Sequence, residues 1–175
     1  MDKKTIWDLD RDNLDSYKNK SKLPLVVVLD NVRSLNNIGS IFRTSDAFMV
    51  ECVMLCGISA TPPSPEIHKT ALGAEDSVDW RYFATTSECV DYLHAEGYTV
   101  ICLEQVFGSV MLDDFKVEEG KKYAIIAGNE VDGVDPEIVN KCDAWIEIPQ
   151  AGTKHSLNVS VSTGITLWHM FAQMK

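Results

Sequence analysis

Two periods organise the apolar positions of this chain. Short apolar-rich runs recur at residues 25–29, 52–56, 99–103, 124–127 and 144–148, broken only by Thr99 and Glu147, with an aromatic-rich run at 78–83. Runs of this length, rich in β-branched residues and bounded by turn formers, predict strands, and the unbroken ones predict strands buried on both faces. Between them the period lengthens to three or four. Ile38, Ile41, Phe42 and Ser45 predict the packed stripe of a helix beginning near Asn36 or Asn37. Ser64-Pro65 opens a short helix that Gly73 ends, Thr86 or Ser87 opens one running through His94, and Asp135-Pro136 caps another reaching about Lys141. Residues 1–24 read as a polar N-terminal helix ending in a Lys-rich loop.

The last helix follows the stretch IPQAGTKHSLNVSVST at 148–163. Pro149 stops the sixth strand, Ala151-Gly152-Thr153 makes a small-residue turn, and Ser156 is the expected N-cap. Leu157, Val161, Ile165, Trp168 and Phe171 or Ala172 recur at helical spacing, and Ser160, Ser162, Thr163 and Gly164 would let another backbone come close. Strands alternating with helices predict an α/β fold, a mostly parallel sheet with helices on both faces. The loops at 34–43, 128–134 and 149–158 then all leave carboxyl ends of strands, the edge at which such sheets bind ligands.

Composition narrows the class. With 175 residues, 45% apolar and 24% charged, one domain with a real core is expected. We expect an N-terminal extension over 1–24 and the main domain over 25–175. No window is apolar enough to span a membrane, and the charged N-terminus is unlike a signal peptide, so a cytoplasmic location is expected. The five cysteines are odd in number and irregularly spaced, which favours buried free thiols over zinc. His94 and His169 fall on helices and read as structural. His155 adjoins Ser156, with no role assigned. A net charge of −10 argues against a broad nucleic-acid-binding surface, although Lys3, Lys4, Arg11, Lys18, Lys20 and Lys22 concentrate near the N-terminus.

No dinucleotide fingerprint, P-loop or nucleophile elbow is present. What stands out is Asn37-x-Gly39-x-x-x-Arg43, then Gly128-Asn129-Glu130-x-x-Gly133-Val134, then Ile148-Pro149-x-x-Gly152-x-x-x-Ser156-Leu157-Asn158-Val159-Ser160. Gly39 lowers helix stability and so points to close approach of a backbone or ligand. These three stretches, in this order and each after a strand, resemble the three motifs of the SpoU/TrmH-type RNA methyltransferases of the SPOUT superfamily. The resemblance covers residues 25–175.

The resemblance implies a deep trefoil knot near the C-terminus, S-adenosylmethionine as cofactor, and 2′-O-methylation of a ribose in RNA. It implies a homodimer with the active site built across the interface. Carried over by position, Gly128, Ile148 and Leu157 would hold the cofactor through backbone contacts, with Leu103 on the adenine side. Glu130, Ser156 and Asn158 would shape the site, and Asn37 would support the catalytic Arg43. Many members have Asp-Pro where this chain has Ser34-Leu35, a departure that bears on loop shape and substrate preference. Transfer from a sulfonium needs no metal. Because an arginine is an awkward general base, Arg43 is expected to bind the adjacent phosphate or stabilise the developing alkoxide. The compact chain favours tRNA over rRNA by analogy, with Lys18, Lys20 and Lys22 as phosphate contacts. The alternatives are a knotted RNA-binding protein without catalysis and a small-molecule α/β enzyme.

Overall fold

The computed structural model describes residues 1–9 and 12–175. Seven strands form one sheet in the order β3-β2-β1-β6-β4-β7-β5, and every pairing is parallel. They are β1 (Leu23–Asp30), β2 (Val50–Cys56), β3 (Asp79–Phe83), β4 (Tyr98–Leu103), β5 (Val110–Met111), β6 (Lys122–Ala127) and β7 (Ala144–Glu147). The six expected strands are all present. The seventh, β5, has only two residues, too few to show a period.

Alternation along β1 divides the core. Leu25, Val27 and Leu29 join one buried layer with Ile38, Ile41 and Phe42 of α2 (Leu35–Ala47) and Leu167 and Met170 of α7 (Val159–Met174). Val26 and Val28 join the other layer, with Cys89, Val90 and Leu93 of α5 (Thr86–Ala95) and Ile138 of α6 (Pro136–Lys141). Both faces of the sheet are therefore covered, as continuous apolar strands require. All five cysteines are buried and free, and burial pushes the Cys52 thiol up to about 12. They are packing groups. His94 bonds Asp143 and His169 bonds the Phe115 carbonyl, both structural contacts.

Gly39 admits a neighbouring helix. A Cβ there would lie 2.2 Å from both the Ile67 carbonyl oxygen and Thr70 Oγ1 of α3 (Pro65–Ala71). The close approach expected at Gly39 is thus to a backbone.

Several expected helix starts move by a residue or two, because the side chain that reaches a free amide decides the cap. Ser34, not Asn36 or Asn37, caps α2 by accepting from the Asn37 amide. Thr85 caps α5 in a capping box with Glu88. Asn158, not Ser156, caps α7, its Oδ1 accepting from the amides of Ser160 and Val161. Asp135 caps α6 as expected. Leu72 ends α3 in the left-handed region, and Gly73 begins a further short helix, α4 (Ala74–Ser77).

The N-terminal segment is not one helix. It holds a 3₁₀ turn at Ile6–Leu9 and α1 (Leu14–Asn19). Arg11, counted above among the N-terminal cations, lies outside the described residues. Tyr17 of α1 is buried in the main core and its hydroxyl donates to the Asp46 carbonyl.

The apolar stripe that recurs at helical spacing along α7 faces outward. Val161, Ile165 and Trp168 are 40–52% exposed, while Val159, Thr163, Thr166, Leu167 and Met170 face the core. Thr163 can be buried because its hydroxyl donates to the Val159 carbonyl one turn back.

Candidate active site

The carboxyl edge of the sheet carries a cleft of about 790 Å³ between the β6–α6 loop, the β4–β5 loop and the segment leading into α7. The loops around it are anchored at the end of β1. Asp30 is almost fully buried there. Its Oδ1 accepts from Thr86 Oγ1 at 2.5 Å and Asn31 Nδ2 at 2.9 Å, and its Oδ2 accepts from the Asp135 amide at 3.0 Å. One carboxylate thereby ties the starts of α5 and α6 to the central strand. The next residue, Asn31, takes a left-handed conformation, and its carbonyl accepts from Asn129 Nδ2 at 2.8 Å.

The loop at 128–134 folds on itself. Asn129 and Gly133 exchange backbone hydrogen bonds of 2.9 and 3.0 Å, and Asn129 Oδ1 accepts from the amides of Val131 and Asp132. Gly133 has φ +71°, and a Cβ on it would lie 2.3 Å from Glu104 Oε2. Glu104 needs that room, because its Oε2 accepts from the Val134 amide at 3.1 Å.

The loop holds Glu130 out towards α2. Glu130 Oε2 accepts from the Arg33 amide at 2.9 Å, and Oε1 accepts from the Ser34 amide at 2.9 Å and Asn37 Nδ2 at 3.0 Å. Burial pushes the Glu130 carboxyl up, but these three donors outweigh it and hold the group below its ordinary range. Asn37 Oδ1 in turn accepts from Asn158 Nδ2 at 3.1 Å. A single directional chain thus runs from the first amides of α7 through Asn158 and Asn37 to Glu130. It joins all three sequence motifs and fixes which way each amide side chain faces.

Seven residues singled out by position line the cleft: Leu103, Gly128, Glu130, Ile148, Ser156, Leu157 and Asn158. Asn37 is bonded to its rim. Arg43 is not among the lining residues. It lies six residues further along α2 than Asn37, about 9 Å down the helix axis, exposed and without an ion pair among the described residues. Lys18, Lys20 and Lys22 precede β1 and so stand at the amino edge of the sheet. The eight residues of β1 put that edge about 26 Å from the cleft. Lys20 pairs with Asp12 at 2.6 Å, and Lys22 donates to the Tyr17 carbonyl. His155 lines the cleft beside Ser156. Sequence reasoning passed over Asp30 and Glu104, although each is an acidic residue directly following an apolar strand run, which is where a buried anchor at a sheet edge sits.

Among the described residues no group of three or more His, Cys, Asp or Glu side chains could hold a metal ion, and no helix is long and apolar enough to cross a membrane.

This parallel sheet, with its ligand-sized cleft at the carboxyl edge and three motif loops on the rim, has the architecture of a SPOUT-type methyltransferase domain. The chain belongs to the SpoU rRNA Methylase family, whose model matches residues 24–168. It is 30% identical over 165 residues to the 23S rRNA (guanosine-2′-O-)-methyltransferase RlmB of Vibrio vulnificus, covering 94% of this chain and 66% of that protein. The chain therefore spans just under two thirds of the length of that curated relative. An AdoMet-bound rRNA methyltransferase from Sinorhizobium meliloti superposes with a TM-score of 0.81 at 28% identity, over 93% of this chain and 60% of that one. The TrmH/SpoU tRNA modifying enzyme of A. aeolicus gives 0.80 at 29% identity, over 91% and 80%.

Proposed function

We propose that this protein transfers a methyl group from S-adenosylmethionine to a ribose 2′-hydroxyl of RNA. The observation that carries the reading is the Glu130–Asn37–Asn158 chain, which draws the three motifs together on the rim of one cleft. The cleft suits the cofactor chemically. Glu104, Glu130, Asp132 and Glu147 line it, and among the described residues no Lys or Arg does, which favours a ligand bearing a sulfonium and an ammonium. Backbone groups of Gly128, Ile148 and Leu157 would hold the cofactor, with Leu103 beside its adenine. We place the methyltransferase domain at 25–175 and extend to it the trefoil knot of the family.

When bound, S-adenosylmethionine supplies an electrophilic methyl group. The protein must align the acceptor oxygen with it and stabilise charge as that oxygen loses its proton. Glu130 and Asn37 hold the motif 1 loop and Asn158 holds the start of α7, so these three preorganise the site. Ser156 stands at the cleft mouth, where the acceptor arrives. Arg43 orients the acceptor through the neighbouring phosphate and stabilises the developing alkoxide.

Arg43 stands outside its own protomer's cleft, and the neighbouring turns of α7 expose Val161, Ile165 and Trp168. We therefore infer a homodimer in which this apolar face is covered and Arg43 serves a site shared between protomers. tRNA is the expected acceptor and rRNA the alternative; relatives named for each are similar to this chain to the same degree and favour neither. A cytoplasmic location goes with this reading, since RNA acceptors of either kind are found there. Lys18, Lys20 and Lys22, far from the cleft, would serve only a distant part of a long RNA.

The test is transfer of label from S-adenosylmethionine into total tRNA and, separately, total rRNA, followed by nucleoside analysis. A labelled 2′-O-methylnucleoside is expected, and Arg43→Ala should fold and bind cofactor without transferring. Label in a base, or normal turnover by Arg43→Ala, would overturn the reaction or the role.

A further inference from the structure

Apart from the terminal Met1, the most exposed large apolar side chain among the described residues lies in the loop joining β4 to β5. Phe107 is 108% exposed, more open than in an extended reference peptide. Burial would be the default for this ring, so its position needs a reason. The loop is not slack. At one end the Glu104 amide donates to the Ile146 carbonyl, and at the other the Leu112 amide donates to the Glu147 carbonyl, so both ends are tied to β7. Between them Glu104 grips Val134, Gln105 Nε2 donates to the His155 carbonyl at 3.1 Å, and a tight turn closes with Ser109 N–H to the Val106 carbonyl. Leu103, Glu104, Gln105 and Val106 line the cleft, and Phe107 is the next residue, at the tip. A six-residue loop so anchored presents the ring beside the cleft mouth.

We infer that Phe107 is a stacking platform for an unpaired nucleobase next to the acceptor ribose. The inference rests on the RNA methyl-transfer reading above. An RNA that brings a ribose to this mouth meets an acidic rim of Glu104, Glu130, Asp132 and Glu147, which repels phosphates. Apart from the phosphate that Arg43 would take, attraction at this rim must come from contacts that carry no charge. Stacking on an aromatic ring is such a contact, and single-stranded nucleotides use it regardless of base identity. A ring held clear of the surface leaves its π-face open to a base, whereas an apolar lid over the cofactor would lie down on the cleft.

The experiment compares wild type with Phe107→Ala, Phe107→Leu and Phe107→Trp. It measures binding of the RNA pool that wild type methylates, or of total tRNA if it methylates none, together with methyl-transfer kinetics, S-adenosylmethionine binding and sedimentation. The expected result is RNA binding and KM weakened about tenfold or more in Ala and Leu, with Trp equal to wild type. kcat, cofactor affinity and dimer mass should hold, and the salt slope of RNA binding should be unchanged because no ionic contact is lost. RNA binding equal to wild type in Ala overturns the proposal. Weakened cofactor binding makes Phe107 part of the cofactor site, and loss of the dimer makes it an interface residue; either also overturns it. Binding is read apart from turnover, so the two readings fail separately. Wild type that binds RNA through Phe107 without methylating it sinks only the enzymatic reading.

Discussion

Glu130→Gln tests whether the motif chain is what organises the site. Glu130 accepts three hydrogen bonds at 2.9, 2.9 and 3.0 Å, two of them from backbone amides of the motif 1 loop. Gln is the same size but has one accepting oxygen. Keeping that oxygen towards Ser34 and Asn37 turns its NH₂ against the Arg33 amide, donor against donor. One charge-assisted bond is lost, and the two that remain become neutral ones of about half the strength. Taken at face value this costs roughly 2.5–5 kcal/mol. Glu130 is exposed, and water can take the freed amide, so the net cost falls to about 2 kcal/mol, confined to the loop. Hydrogen exchange reads the quantity directly: the Arg33 and Ser34 amides should exchange about 30-fold faster, with global unfolding shifted by less than about 1 kcal/mol. If both amides exchange as in wild type, Glu130 does not hold the loop and the reasoning fails.

Gly39→Ala puts a Cβ 2.2 Å from backbone and side-chain oxygens of α3, so α2 and α3 must part by about 1 Å. Overpacking should outweigh the gain in helix propensity, and urea unfolding should report a loss of about 2 kcal/mol. Acid should loosen the motif 1 loop for a reason of known sign. The Glu130 carboxyl is held below its ordinary 4.5 when folded, so the unfolded chain binds more protons there. Its contribution is complete above about pH 4.5 and is lost as pH falls through the lower folded value; loss of Arg33 and Ser34 protection already at pH 6 would contradict this. Val161→Glu with Ile165→Glu should leave a folded monomer by sedimentation, with cofactor binding retained and methyl transfer lost. A dimer of unchanged affinity would place the interface elsewhere.

The sheet was legible because parallel strands buried on both faces have nothing to alternate. Residues 25–29, 52–56, 100–103 and 124–127 are unbroken apolar runs, and each falls within an observed strand. β5 was not legible, since Val110 and Met111 are strand only by pairing with Ile146 and Glu147 of β7. The caps of α2, α5 and α7 shifted because sequence supplies several eligible side chains, while only the final geometry selects the one that meets an amide. The outward face of α7 shows a deeper limit. Val161, Ile165 and Trp168 have a correct helical period, but periodicity cannot tell an apolar face turned to the core from one left for a partner. The site was legible in part. The resemblance in the three motifs led to Asn37, Glu130 and Asn158, but not to the chain of hydrogen bonds between them. Nor did it lead to Asp30 or Glu104, whose roles depend on loops about 30 to 100 residues away in sequence.

The net charge of −10 sat awkwardly with an RNA substrate, and the structure distributes it in a way that can be tested. Glu104, Glu130, Asp132 and Glu147 gather on the cleft, whereas Arg33 and Arg43 lie along the motif 1 loop and α2. Negative charge thus surrounds the proposed cofactor site, and positive charge lies where the acceptor strand would run. S-adenosylmethionine carries one more positive charge than its demethylated product. A unit charge about 8 Å from one carboxylate in a wet cleft feels roughly 0.5–1 kcal/mol, so several together favour the sulfonium by about tenfold or more. Methyl transfer would remove that attraction in the same step that leaves product in the cleft, so the electrostatics that load the cofactor also help to release it. Titration calorimetry of both ligands against salt measures this. The preference for S-adenosylmethionine should shrink as salt rises and should fall in Glu147→Gln, while product affinity stays nearly constant. Equal affinities at low salt, or a preference that salt leaves untouched, would mean that shape rather than charge selects the cofactor.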